Sequence, residues 1–349
     1  MPTLSLRLAL AACLSLGPLS LVPGLGACGG RVVFDGVAQG GAGGGSSEGG
    51  GGEAPLCGPD GFSTLAADVD TTPTGIAAGE VGVSWTSEGE VWIAGPSGEF
   101  PSTVETDVPE PWALAQAGDE LYVAGYASQL RLIVRSSGAL VWEVPDAAYD
   151  LALDAQWVYF VNNIGVFRVP REGGVVTLLE PVSGSSLAVD DETIVVLERD
   201  AAGVTVRALD KVGGSSAPLA SVASSADCSS CGAASGFLDR VAIVGEHAFF
   251  AVDTRLFRVP LVSGGELELV LDAAPLDVRA VVSAGGVAYV GLAEPFAEGA
   301  VARVDPSSLE VTELVRGEGV APWSLAPASQ GVYWSTYQPS GVIGRTCGL

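Results

Sequence analysis

Positive charge is scarce in this chain. Against 41 Asp and Glu residues stand 16 Lys and Arg, giving a formal net charge of −25, and Lys211 is the only lysine. So acidic a surface repels phosphate backbones, which argues against nucleic acid as a partner, and it favours solubility. Histidine is nearly absent too. The single one, His247, falls in a turn between two predicted strands and reads as turn decoration rather than as a catalytic base. No Gly-x-Ser-x-Gly elbow and no calcium-loop spacing of carboxylates occur. Carboxylates themselves are plentiful, among them Asp154, Asp190, Asp191, Glu192, Asp239, Asp253 and Asp277. Several lie in turns, where Asp commonly caps its own backbone. Sustained helical periodicity is missing, and beyond residue 30 no run is long and apolar enough to cross a bilayer. What is abundant is apolar residues, 48% of 349 positions, ample for the core of one large domain or two ordinary ones.

Residues 1–27 read as an export signal: Arg7 supplies a sparse positive start, and Leu8 to Leu21 form an apolar stretch interrupted by Pro18. The stretch ends in Leu25-Gly26-Ala27-Cys28, an aliphatic residue, two small ones and a cysteine, which resembles the bacterial lipobox. That resemblance implies that Cys28 becomes a lipidated N-terminus. More than one acyl chain there makes an effectively permanent anchor, the chain's one link to a membrane. Gly29, where some lipoproteins carry Asp, implies the outer membrane of a Gram-negative cell. The alternative is an ordinary secretory signal with an incidental cysteine. Residues 36–53 are almost entirely Gly, Ser, Ala and Glu and cannot bury apolar surface, so residues 28–56 form a flexible spacer before a folded domain at 57–349.

Within that domain one unit recurs: a small apolar strand, a polar turn, a strand with a central aromatic, then a third strand often ending in Arg. It is seen in Ala113–Gly125 (ALAQAGDELYVAG), Leu151–Val161 (LALDAQWVYFV) and Val241–Ala251 (VAIVGEHAFFA). Aligned positions in the second strand are Trp92, Tyr122, Tyr159, Val195, Phe249, Tyr289 and Tyr333, recurring at about 40 residues. The third strand is clearest in Gly165–Pro170 (GVFRVP) and Leu256–Pro260 (LFRVP), and each meets a Gly- or Ser-rich turn before a fourth strand. Four antiparallel strands in such a period make one blade of a β-propeller. The expected fold is therefore all-β, with seven four-stranded blades. Six remain possible, because the first copy leaves little room for a third strand.

The last copy stops after its third strand, Gly341–Arg345, while Phe62–Val69 near the other end is an orphan strand. Pairing the two completes the last blade from both chain ends. Cys57 and Cys347 then flank one hairpin turn, and a disulfide between them is expected in an oxidising compartment. Cys228 and Cys231 form a lone Cys-x-x-Cys in a long insertion of the fourth repeat. With no partner cysteines or His cluster to complete a metal site, a local structural disulfide is expected there too.

Val158–Gly174 (VYFVNNIGVFRVPREGG) and Val332–Arg345 (VYWSTYQPSGVIGR) resemble YWTD-type propeller repeats, as does Phe249–Gly264. The Asp that gives that motif its name is replaced by Asn162, Val252 and Thr336, so a buried network built on it does not carry over. The run Gly138–Trp142 is similar to the Gly-x-x-x-Trp turn of propeller scaffolds of outer-membrane assembly, and occurs once.

Propeller ligands generally meet the face built from second-to-third-strand loops and from connections between blades. The second-to-third-strand loops carry Tyr126, Asn162, Asn163, Asp253 and Tyr337; the connections carry Trp112, Asp146, Tyr149, Arg240, Arg279 and Trp323. Aromatics beside acids and amides suit a protein, peptide or glycan. The leading expectation is thus a monomeric, non-enzymatic envelope or surface lipoprotein serving as a binding or scaffold module, with no cofactor. The alternatives are a hydrolase or lyase using channel carboxylates and a bound calcium ion, and a largely structural envelope protein.

Overall fold

The computed structural model describes residues 62–69, 74–87, 89–96, 101–104, 108–125, 129–200, 203–213, 216–223, 241–294, 298–318, 320–329, 331–336 and 341–346. They form seven four-stranded antiparallel sheets, and no helix occurs among them. The expected seven blades are all present. Blade 3 shows the plan: strands Asp150–Leu153, Trp157–Val161, Val166–Pro170 and Thr177–Glu180 pair in sequence order. First strands of the other blades are Ile76–Gly79, Pro111–Ala117, Ser186–Val189, Val241–Val244, Asp277–Ala284 and Pro322–Ala328. These touch one another from blade to blade around a closed ring, blade 7 meeting blade 1.

Position in the blade explains the residue types. Ile76–Gly79, Asp150–Leu153, Ser186–Val189 and Val241–Val244 are buried at every residue, because each first strand has a neighbouring blade on both faces. Hence the short, nearly continuous runs of Ala, Val and Leu. Outer strands are wet on one side, and Leu140, Val141, Leu178 and Leu269 stay about half exposed. The core is divided accordingly into seven apolar clusters, one for each seam between adjacent blades. The blade 2–blade 3 seam, for example, packs Tyr122, Leu132 and Val144 against Leu151, Val158 and Phe160.

The ring closes as the orphan strand suggests. Phe62–Val69 pairs antiparallel with Gly341–Thr346, Phe62 opposite Thr346 and Val69 opposite Gly341, as the outermost strand of blade 7. Cys28, Cys57, Cys347, Cys228 and Cys231 lie outside the described residues. The register does bring residue 346 beside residue 62.

One alignment is corrected. Trp92 belongs to the third strand of blade 1, Glu90–Ala94, and the second strand is Gly82–Ser87. In blades 2, 3, 5, 6 and 7 the second-strand aromatic faces a first-strand residue, as Ala115 faces Tyr122 and Ala152 faces Tyr159. In blade 1 the same register places Ser84 opposite Ala77. The first repeat therefore has full length and four strands, but Ser84 fills the place of the aromatic. His247 likewise opens the second strand of blade 5 rather than sitting in the turn before it.

Candidate functional site

Two faces offer chemistry. The first carries second-to-third-strand loops and the connections between blades. Trp112, Tyr149, Arg279 and Trp323 stand there at one level of the propeller, each three residues before the first-strand residue that faces a second-strand tyrosine. The three aromatics are half-buried, Trp112 and Trp323 on packed inner strands and Tyr149 on the connection just before one. Arg279 is held by Asp277, Nη2 to Oδ2 2.5 Å, with its guanidinium 5.4 Å from the centroid of the Trp323 ring. Asp146, half-buried, lies on the connection into blade 3.

The loop residues on this face divide. Asn162 is buried and fully employed: its Nδ2 donates to the Ala147 carbonyl at 3.0 Å, and its Oδ1 accepts from the amides of Ile164 and Gly165. It braces a loop. Asn163 beside it is exposed. Asp253 is buried with φ of 55°, its carbonyl accepting from Val278 N at 2.9 Å, and its charge faces Arg199. That places it in a brace between blades. Tyr126, Arg240 and Tyr337 lie outside the described residues.

The opposite face carries the first-to-second and third-to-fourth turns, and there the seams are bolted by polar side chains that motif reading passes over. In blades 2, 3 and 4 the residue after the third strand reaches back to the preceding blade. Arg171 of blade 3 pairs with Glu120 of blade 2, its Nε 3.2 Å from Tyr122 Oη. Lys211 of blade 4 pairs with Asp154 of blade 3 at 2.5 Å and lies over the Tyr159 ring, whose hydroxyl donates to Asp154 at 2.9 Å. Arg135 of blade 2 does the same for blade 1, donating to Ser84 Oγ and to the carbonyls of Val83 and Ala94. A second bolt comes from the third-strand Arg opposite the aromatic, which donates to the next blade's turn: Arg168 to Lys211 O, Arg258 to Pro306 O, and Arg345 to Pro96 O. Burial drives the Tyr122 and Tyr159 hydroxyls far above their ordinary pKa, so both stay protonated donors. The sequence signal was there, in the basic residue of PREGG and LDKVGG at the close of the third strand.

That signal is absent from blades 1 and 6, where Gly95 and Asp305 follow the third strand, and it fails between blades 4 and 5 as well. Val195 stands in place of the tyrosine, Ala208 opposite it in place of the arginine, and Leu261 follows the third strand where Lys211 and Arg171 do in their blades. A pocket of about 760 Å³ opens at this seam. Its rim is the acidic turn Asp190-Asp191-Glu192 of blade 4 with Glu246 and His247 of blade 5, and Leu261 and Val262 form an apolar wall.

No family model and no curated protein matches the chain. Among solved structures, 1162 chains match, and likeness that widespread belongs to the propeller fold and carries no activity with it. One is "The crystal structure of BamB from Moraxella catarrhalis", at TM-score 0.51 and 13% identity, covering 79% of this chain and 86% of that one. At this identity the likeness shows a shared fold alone.

Proposed function

We propose that this chain is a non-enzymatic envelope protein, exported and tethered through a lipidated Cys28, whose propeller is a binding or scaffold module for a protein, peptide or glycan. The observation that carries the reading is the rim of Trp112, Tyr149, Arg279 and Trp323. Half-buried aromatic rings held on or directly beside rigid inner strands lose little conformational freedom when a partner covers them, and such residue types dominate the energetics of interfaces. The apolar clusters at the seven seams keep such a rim in place. The calcium-dependent hydrolase or lyase would need acidic side chains from several blades to converge. Among the described residues no three His, Cys, Asp or Glu side chains gather so as to hold a metal ion.

The experiment is a paired probing of peptide and glycan arrays with the native chain and with the double variant Trp112→Ala/Trp323→Ala. Loss of about tenfold or more in binding, with the melting curve of the variant still cooperative, is the expected result. Unchanged binding would move the site off this rim. The tether is tested separately: Cys28→Ser should shift the protein from the membrane pellet to the soluble fraction.

A further inference from the structure

The missing bolt between blades 4 and 5 describes its own ligand. Asp154 and Asp190 are equivalent residues. Each caps its turn with one carboxylate oxygen, Asp154 Oδ1 accepting from Gln156 N at 2.8 Å and Trp157 N at 2.7 Å, Asp190 Oδ1 from Glu192 N at 2.9 Å and Thr193 N at 2.7 Å. Each also lies where a basic residue of the following blade would arrive. Asp154 Oδ2 receives Lys211 Nζ at 2.5 Å. Asp190 receives nothing equivalent among the described residues, because Leu261 occupies the corresponding position and has no charge. The seam left open is a pocket, about 760 Å³, within the range of about 300–1,000 Å³ that holds small ligands.

We infer that this pocket takes a lysine side chain from a peptide or protein partner, which bolts the blade 4–blade 5 seam from outside as Lys211 bolts its own seam from within. The ammonium would meet the Asp190 carboxylate, with Asp191, Glu192 and Glu246 adding negative charge at the rim. The methylene stem would lie along Leu261 and Val262, the latter 69% exposed; long charged side chains bury their stems against such walls while the head stays polar. Charge complementarity fits as well: a chain of net charge −25 draws cationic segments towards it, and the pocket gives one of them a defined seat. This inference does not rest on the rim reading, since the pocket lies on the opposite face, and either can fail without the other.

The test titrates the whole chain with the blocked tripeptide acetyl-Gly-Lys-Gly-amide and with the same peptide acetylated at Nε, following amide shifts of Thr193, Gly245 and Glu246 by NMR. The free-amine peptide is expected to move these signals saturably and the acetylated one to leave them unmoved. Asp190→Asn keeps an oxygen to cap the turn but removes the charge, and should weaken binding about tenfold or more. Leu261→Lys should supply the bolt internally and abolish binding while raising the melting temperature. Asp305→Asn alters an exposed turn acid of another blade that accepts from the Ser307 and Ser308 amides, and should change nothing. The proposal is overturned by absent shifts, by equal binding of the acetylated peptide, or by Asp305→Asn weakening binding as much as Asp190→Asn, which would make the attraction diffuse. Should Leu261→Lys not fold, Asp190→Asn decides alone.

Discussion

At the scale of single residues, the chain's one lysine is a structural bolt. Lys211 Nζ lies 2.5 Å from Asp154 Oδ2 and donates to the Asp190 carbonyl at 2.7 Å, joining blade 4 to blade 3. Burial alone would raise the pKa of the Asp154 carboxyl. The hydrogen bond from Lys211 and the amides of Gln156 and Trp157 outweigh it and hold the carboxyl below its ordinary value. Lys211→Met leaves a largely buried carboxylate without its cation, and should cost about 1–3 kcal/mol in urea unfolding at neutral pH. The sign of the pH dependence follows from the lowered value. A carboxyl with a lower pKa folded than unfolded contributes stability above its unfolded pKa, near 4, and loses that contribution as pH falls through the folded one. Urea midpoints of native chain and Asp154→Asn should therefore differ at pH 7 and converge on acidification; a gap that widened in acid would contradict the assignment. From the sequence, Asp154 was readable as a turn cap, which it is. That the same carboxylate also grips the next blade was not readable, because Lys211 is 57 positions further on in a different repeat and nothing local connects them.

At the scale of the strand, the blades differ in how much of themselves they declare. Most second strands announce their register by a central aromatic, and the orphan Phe62–Val69 announced the closure of the ring. Blade 1 conceals its register because Ser84 replaces the aromatic and Trp92 sits one strand later. The replacement has a physical reason: the space a ring would fill is taken by Arg135, whose Nε donates to Ser84 Oγ at 3.0 Å, with Gln116 Oε1 accepting from the same hydroxyl at 2.9 Å. Gly82 belongs to the same arrangement. Its φ is 132°, and a Cβ there would overlap the Ala94 carbonyl and crowd Arg135. Burial lowers the pKa of the Arg135 guanidinium, partly offset by Asp119, yet it remains a cation ringed by carbonyl oxygens. Arg135→Met would strand several of those acceptors at once, at about 1–3 kcal/mol each for the fully buried ones. Thermal melts should show a drop well beyond that of Arg316→Met, whose side chain is 44% exposed. Similar losses in the two variants would mean that the blade 1–blade 2 seam is held by its apolar cluster alone.

At the scale of the whole molecule, stability depends on a ring that a single chain must close on itself. Six of the seven sheets are built from consecutive strands, and the seventh joins the first described strand to the last three. Without Phe62–Val69, the strand Gly341–Thr346 becomes an unpaired edge, a template for pairing with other chains. A chain lacking residues 1–69 should therefore aggregate on heating where the native protein melts cooperatively. The cysteines offer a covalent version of the same closure. Phe62 pairs with Thr346; in the sequence Cys347 follows the latter directly and Cys57 precedes the former by five positions. A Cys57–Cys347 bond would enclose almost the entire folded domain, and long loops gain most in the chain-entropy account, about 2–4 kcal/mol in typical cases. Peptide mapping without reductant should recover the two cysteines in one linked fragment, and reduction should lower the unfolding midpoint by an amount that Cys57→Ser reproduces. Strand pairing and disulfide constrain the same seam, so their losses should not add. In a chain already lacking Phe62–Val69, which removes Cys57 with it, reductant should affect only what Cys228 and Cys231 contribute. A full reductant effect persisting in that truncated chain would place the stabilising bond elsewhere than at the closure.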